Sequence, residues 1–245
     1  MPRASKRFIS PGIVVPGAVL RDLNPTSSLD LPTAAKLSKA AYKRNQPVDG
    51  FNIDPRFSDR NKTTYVRTHP DGRKEAIIAH SGTRLSGGAS NAFRDLTNNS
   101  LLALGLKRLS SRFQGGLKTT KQVMQEYGDN NVSSVGHSAG GAIALHSHNE
   151  LRAPGDADGH RVIAISPGIS PLDVKRSHYL LNAASHLAPL YSATADKPLR
   201  LGHAAEIHVV RKDTIASLAP FVQGNVTVHD KKPGVRDPHS IDNFT

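Results

Sequence analysis

The segment that most restricts the fold of this chain is 132–144, with the sequence VSSVGHSAGGAIA. A β-rich run ends at Val135, and a helix of small residues is predicted from Ala139. The turn between them, 136–140, reads GHSAG and matches the pattern G-x-S-x-G. A serine at a sharp strand-to-helix turn adopts strained dihedrals, and flanking glycines leave room for close packing. The segment therefore predicts a turn that exposes the Ser138 hydroxyl, although an ordinary glycine-rich turn is the alternative interpretation.

The rest of the chain alternates between the two kinds of hydrophobic periodicity. Apolar runs typical of strands alternate with segments of helical spacing, which indicates an α/β fold with a mostly parallel central sheet and helices on both faces. The predicted strands are 63–69, 74–81, 131–135, 161–166, 205–210 and 225–228, and the predicted helices are 33–44, 101–109, 117–127 and 139–149.

Length and composition exclude several classes of protein. A chain of 245 residues predicts one domain, and we place it at 31–245. The absence of cysteine excludes disulfides, a cysteine nucleophile and a cysteine zinc site. We expect a soluble protein, because we find neither a membrane-spanning run nor a clear signal peptide. Cytoplasmic, secreted and virion-associated locations all stay open.

The charge of the chain is strongly basic and uneven. Lys and Arg number 32 against 20 acidic residues, a net charge of +12, and residues 1–44 carry eight basic and two acidic residues. Residues 1–30 combine this charge with an apolar stretch broken by Pro and Gly, which predicts an extended N-terminal arm. Such an arm favours an anionic membrane surface as partner, with nucleic acid less favoured and solubility alone as the alternative.

A serine nucleophile requires a base and a group that orients the base. Asp213 follows the predicted strand 205–210, where the active-site residues of parallel sheets collect, and the N-cap of a following helix is the alternative interpretation. His229 and His239 are the histidines that follow it, and spacing favours His239 while leaving His229 open.

An oxyanion hole requires two donors. One candidate is the amide of Ala139, directly after the serine, and the other is Thr83, which follows Gly82 at the end of the buried run 76–79. A simple strand-ending turn at Thr83 is the alternative. We expect no metal and no organic cofactor.

Taken together and in order, these pieces resemble the class 3 (fungal-type) lipases of the α/β-hydrolase superfamily. The matching segments are AAKLSKAAY at 34–42, IIAHSGTR at 77–84, NAFRDL at 91–96, VGHSAGGAIA at 135–144 and IHVVRKD at 207–213, followed by His239. The resemblance covers about residues 34–244. It implies a triad of Ser138, Asp213 and His239, with Thr83 and Ala139 binding the oxyanion.

The chain departs from the family pattern at three positions near these motifs. Ala139 replaces the usual Leu, Ala92 replaces the usual Trp, and Ser81 replaces the Arg before Gly82. The lost Trp anchors the lid of these lipases, which puts interfacial activation and long-chain triglycerides in question, but not ester hydrolysis.

The sequence therefore predicts a serine hydrolase of carboxylic esters, either a lipase, an esterase or a phospholipase, acting through an acyl-enzyme on lipid or another ester. The alternative is an inactive hydrolase fold that binds an anionic membrane or nucleic acid through its basic surface. A serine peptidase or acyltransferase on the same triad is a third interpretation.

Overall fold

A computed structural model describes most of the chain. The described residues are 7–8, 29–43, 46–83, 107–152, 160–170, 199, 201–222 and 224–245. The segment 91–96 of the resemblance, most of the arm and the region 171–198 lie outside them.

The architecture is one mixed sheet of eight described strands. These are β1 (Arg7–Phe8), β2 (Asn52–Asp59), β3 (Lys62–Thr68), β4 (Lys74–His80), β5 (Val132–His137), β6 (Arg161–Ile165), β7 (Ala205–Val210) and β8 (Asn225–His229). Their order across the sheet is β1-β8-β7-β6-β5-β4-β3-β2. The five strands from β4 to β8 run parallel, whereas β2 and β3 extend one edge as antiparallel strands and β1 pairs antiparallel with β8. The predicted fold class is confirmed.

Three α-helices are described: α1 (Leu31–Ala41), α2 (Ser111–Tyr127) and α3 (Ala139–Leu151). The side chain of Asp30 caps α1 by accepting from the Thr33 amide at 2.9 Å. Helix α2 ends at Gly128, whose φ of +84° suits glycine.

Both faces of the sheet carry helices. Since neighbouring strand residues point to opposite faces, Ile77 packs with α1 while Ile78 packs with α2. The α1 face holds an apolar cluster that includes Ala34, Leu37, Tyr65, Val135, Ile163 and Val210. The other face packs against α3 through Ala144, Leu145, Val162, Ala164 and Ile207, and against α2 through Val123. Because β4, β5 and β7 run parallel, their carboxyl ends lie at the same end of the sheet.

Some elements differ from the prediction. Helix α2 begins at Ser111 instead of residue 117, and the described part of segment 101–109 is a short 3₁₀ helix, Lys107–Leu109. Strand β2 was not predicted, and β1 lies within the predicted arm. No helix among the described residues has the length and apolar character needed to cross a bilayer.

Candidate active site

Ser138 occupies the turn between β5 and α3. Its backbone has φ 59° and ψ −127°, and residues other than glycine rarely adopt such a positive φ. The turn is fixed from behind, because the Ser138 amide donates to the Ile165 carbonyl at 3.0 Å and the Gly168 amide donates to the Ser138 carbonyl at 3.3 Å. The surrounding structure therefore maintains a strained serine at the carboxyl end of β5.

The glycines on either side of Ser138 are required by close packing. A β-carbon on Gly136 would lie 2.3 Å from the carbonyl carbon of Gly140, and one on Gly140 would lie 2.1 Å from the His80 carbonyl oxygen. A side chain at Gly136 would push the start of α3 away from β5, and one at Gly140 would push α3 away from the end of β4. The G-x-S-x-G spacing thus has the physical cause that the sequence analysis assigned to it.

Asp213 and His239 are hydrogen-bonded to each other. His239 Nδ1 lies 3.0 and 3.1 Å from the two carboxylate oxygens of Asp213, whose side chain is buried. Burial is the largest single influence on the pKa of Asp213 and would raise it, but the hydrogen bonds from His239, Ser166 and the Ala216 amide together hold the pKa below its usual value. The carboxylate also accepts from the amides of Ile215 and Ala216, so it stabilises its own turn while it contacts the histidine.

The other candidate histidine, His229, has different partners. Its Nε2 lies 3.0 Å from Nδ1 of His208, and its ring packs edge-on against Phe244. Burial lowers the pKa of His229. Of the two histidines that the sequence left open, the structure places His239 on Asp213.

Ser138 and His239 line the same cavity, which has a volume of about 720 Å³. Thr83 and Ala139, the two predicted oxyanion residues, line it as well. The remaining lining residues are Lys39, Tyr42, Lys43, His137, Gly168, Ile215, Asp237, Ser240 and Ile241.

Ser138 and His239 are not hydrogen-bonded to each other in this structure. His239 Nε2, on the side of the ring away from Asp213, is buried and has no hydrogen-bond partner among the described residues. Hydrogen bonds between a nucleophile and its base are often loose without substrate and tighten in the complex. Nε2 is consequently the ring atom available to accept a proton.

The amide of Ala139 belongs to a residue that lines this cavity. Ala139 is the first residue of α3, and the first amides of a helix have no acceptor within it. The helix dipole adds partial positive charge at the same point. Thr83 approaches from the carboxyl end of β4.

A chain of contacts behind His239 was not predicted from the sequence. His137 Nε2 lies 2.7 Å from the backbone carbonyl of His239, and His137 Nδ1 lies 2.9 Å from the Tyr42 hydroxyl. Burial lowers the pKa of His137 to about 4, so the ring is neutral at pH 7. Nε2–H must then donate to the carbonyl, and the Tyr42 hydroxyl donates to Nδ1. The only sequence signal for this contact is that His137 directly precedes the serine.

With this geometry in place, the chain can be compared with known proteins. No protein-family model matches it, and no curated protein sequence matches it. Among solved structures, a triacylglycerol lipase from Penicillium expansum shares 16% identity over 83% of this chain and 78% of its own, with a TM-score of 0.37. An esterase from Pyrobaculum calidifontis shares 15% identity over 88% and 87%, with a TM-score of 0.39.

An acetyl xylan esterase from Paenibacillus sp. R4 shares 10% identity over 88% of this chain and 93% of its own, with a TM-score of 0.31. At these identities and TM-scores the similarities do not decide an activity. The fold class stands on the sheet order and helix packing of the chain itself, and the activity is argued from the site.

Proposed function

We propose that this protein is a serine hydrolase of carboxylic esters, with Ser138 as nucleophile, His239 as base and Asp213 as the group that orients the base. The observation that carries the proposal is the Asp213–His239 hydrogen bond at the rim of a cavity that also contains a strained serine. Three side chains from distant parts of the chain rarely meet in this arrangement without a chemical role.

The reaction proceeds in two steps. His239 Nε2 takes the proton of the Ser138 hydroxyl as the oxygen attacks the ester carbonyl, and Asp213 stabilises the imidazolium that forms. The amides of Ala139 and Thr83 bind the negative oxygen of the tetrahedral intermediate. His239 then protonates the leaving alcohol, and water hydrolyses the acyl-enzyme by the same sequence, which returns the free acid and Ser138.

Ester substrates with an apolar acyl group fit this cavity. Ile215 lines it and is 52% exposed, so it provides an apolar surface against which an acyl chain can pack. Membership of the class 3 lipases, and lipid as the natural substrate, are part of the proposal and rest on the motif resemblance.

The decisive experiment combines covalent labelling with turnover of p-nitrophenyl esters of increasing acyl length. We expect a fluorophosphonate probe to label the wild-type protein, and Ser138→Ala to abolish both labelling and turnover. The loss in kcat should be about 10⁶-fold for the serine and about 10⁴-fold for Asp213→Asn.

The histidine assignment has a matched control within the chain. His239→Ala should reduce kcat nearly as far as Ser138→Ala, whereas His229→Ala, which removes a contact with His208, should leave kcat within about threefold. If the wild-type protein neither labels nor hydrolyses any ester, the inactive binding protein becomes the better account. Binding to vesicles of anionic and of neutral phospholipid then tests whether such a protein binds an anionic membrane.

A further inference from the structure

The segment Ser81–Thr83 leads from β4 to the cavity. It contacts Asn61, Tyr42 and the serine turn. The amide and the hydroxyl of Ser81 both donate to the Asn61 carbonyl at 2.9 Å. A β-carbon on Gly82 would lie 1.9 Å from the Tyr42 hydroxyl oxygen and 2.8 Å from the His137 carbonyl oxygen. The segment therefore lies directly against the serine turn.

Arg112 also binds this segment. It is the second residue of α2, and its Nη2 donates to the backbone carbonyls of both Ser81 and Gly82, the latter at 2.7 Å. A guanidinium that donates to two successive carbonyls is a charge-assisted contact, which is stronger than a neutral hydrogen bond. Arg112 consequently fixes the orientation of two consecutive peptide units.

The second of these peptide units joins Gly82 to Thr83. In a trans peptide the C=O and N–H bonds point in opposite directions, because the unit is planar. Since the Gly82 carbonyl points toward Arg112, the Thr83 amide points away from it. Thr83 lines the cavity that contains Ser138.

The positive charge has a second effect on the same amide. A peptide whose carbonyl accepts a hydrogen bond from a cation becomes a stronger donor at its own N–H, since the bonds polarise one another. The contact thus both aims the Thr83 amide and strengthens it.

We propose that Arg112 is a positioning residue for the oxyanion hole: through the Gly82 carbonyl it orients and polarises the Thr83 amide that stabilises the tetrahedral intermediate. The inference rests on the proposed function. It also explains how the chain tolerates Ser81 beside Gly82, because the arginine that holds the segment comes from α2 and not from the segment itself.

The first test separates kcat from KM in Arg112→Ala and Arg112→Lys. The Thr83 amide acts on the transition state more than on the bound ester, so Arg112→Ala should lower kcat about 10- to 100-fold with KM within about threefold. Arg112→Lys, which keeps the charge, should recover part of the loss. Millimolar guanidinium added to Arg112→Ala should also restore part of kcat.

The second test measures the oxyanion directly. An alkyl trifluoromethyl ketone adds to the serine and carries a negative oxygen, whereas the matching methyl ketone binds as a neutral carbonyl. Arg112→Ala should weaken inhibition by the trifluoromethyl ketone by the same factor as kcat, and leave the methyl ketone unchanged. A purely structural defect would weaken both equally.

Arg108→Ala is the matched control. Arg108 precedes α2 by a few residues and pairs with Glu150 at 2.8 Å, with a side chain that is 34% exposed. Its removal should lower the melting temperature and leave kcat and both inhibition constants unchanged.

The results distinguish failure of this proposal from failure of the proposed function. Fluorophosphonate labelling and ester turnover that depend on Ser138, together with unchanged kcat and trifluoromethyl ketone inhibition in Arg112→Ala, overturn the role of Arg112 alone. A wild-type protein without Ser138-dependent turnover overturns both. If Arg112→Ala does not fold, Arg112→Lys decides, and an unchanged kcat there with no change in trifluoromethyl ketone inhibition overturns the proposal.

Discussion

Two features of single residues lower the stability of this protein, and the first is the backbone conformation of Ser138. Its positive φ of 59° is a conformation that costs about 1–3 kcal/mol for a residue with a β-carbon. The hydrogen bonds of the Ser138 amide and carbonyl to the β6 side of the sheet maintain it. The strained conformation of Ser138 lowers stability, and it places the Ser138 hydroxyl at the cavity.

This cost predicts a difference between two inactive variants. Ser138→Gly and Ser138→Ala both lack the hydroxyl, but only the alanine keeps the β-carbon that makes the turn strained. Ser138→Gly should therefore have a free energy of unfolding about 1 kcal/mol higher than Ser138→Ala, measured by urea denaturation. Equal stabilities, or a more stable alanine variant, would show that the turn stores no such strain.

The second feature is the burial of uncharged histidines. Burial lowers the pKa of His80 and His160 to about 3, and that of His146 to about 4. His160 is 4% exposed, and neither of its ring nitrogens has a hydrogen-bond partner among the described residues. Each of these rings is neutral in the folded protein at pH 7.

These pKa values set the sign of the pH dependence. Between pH 6.5 and pH 3 the unfolded chain binds protons at these histidines that the folded protein excludes, so stability is full above pH 6.5 and falls with acid. Each histidine contributes up to about 1.4 kcal/mol per pH unit. His160→Leu should reduce the slope of unfolding free energy between about pH 6 and pH 5 by that amount.

Urea denaturation of the wild-type protein and of His160→Leu at several pH values measures the effect. An unaltered slope in His160→Leu would contradict the assignment.

At the scale of elements, the contact between α3 and β4 brings the serine turn to the segment Ser81–Thr83. It depends on Gly140, because a β-carbon there would lie 2.1 Å from the His80 carbonyl oxygen and 2.9 Å from the Ser81 carbonyl carbon. Both atoms are backbone and cannot move aside without shifting the strand. Helix α3 can therefore lie this close to β4 only because Gly140 has a hydrogen atom in place of a side chain.

Two glycine-to-alanine substitutions in helices should have opposite effects. Gly140→Ala should destabilise the protein by about 3 kcal/mol and lower kcat, because the helix must move away from β4. Gly115→Ala, in α2 with nothing within 4 Å of the added carbon, should stabilise it by about 0.5–1 kcal/mol. Thermal unfolding and ester turnover measure both; a tolerated alanine at Gly140 would show that the contact is loose.

The sequence predicted the elements that have a clear hydrophobic period. Strand β7 was predicted with its observed bounds, and β4, β5, β6 and β8 to within two residues at either end. Strand β2 was missed because it contains Pro55 and buries only Asp54, so it carries no alternating apolar pattern. An edge strand tolerates this composition, since one side of its backbone needs no partner.

The candidate site divides in the same way. The turn at Ser138 was predictable, because local backbone geometry dictates its glycines. Spacing favoured His239 over His229 but left His229 open, since the choice depends on contacts at the carboxyl ends of the strands that no periodicity reports. Arg112 and Tyr42 were missed for the same reason: each acts through a backbone or ring atom distant in sequence.

At the scale of the whole molecule, the basic arm and the sheet meet at one edge. Arg7 and Phe8 pair with Thr227 and Val226, so β1 covers the outer side of β8. An uncovered edge strand presents free amides and carbonyls to other chains. The two arm residues that the structure describes are therefore part of the sheet, which is a structural role besides the membrane contact that the sequence predicts.

Deleting residues 1–28 tests both roles together. The deletion retains Leu29 and Asp30, which pack on and cap α1, and removes β1. We expect a lower melting temperature, greater self-association and nearly unchanged kcat on a soluble short-chain ester. Binding to anionic vesicles should also fall, by about 1 kcal/mol for each basic residue lost near the surface.

A charge variant separates the two effects. Changing Arg3, Lys6 and Arg21 to Gln keeps the β1 residues, and should weaken vesicle binding in a salt-dependent way without lowering the melting temperature. Vesicle binding that survives both changes would contradict a membrane role for the arm.

The contacts of His137 also bear on how the molecule reaches its active form. His137 joins Tyr42, 95 residues before it, to the backbone of His239, 102 residues after it. Closing loops of this length is costly in entropy, and folds dominated by such distant contacts form slowly. After dilution from denaturant, helices should return early while ester turnover returns only with the slowest phase. The rate at which ester turnover recovers would then report the rate of the last step of folding.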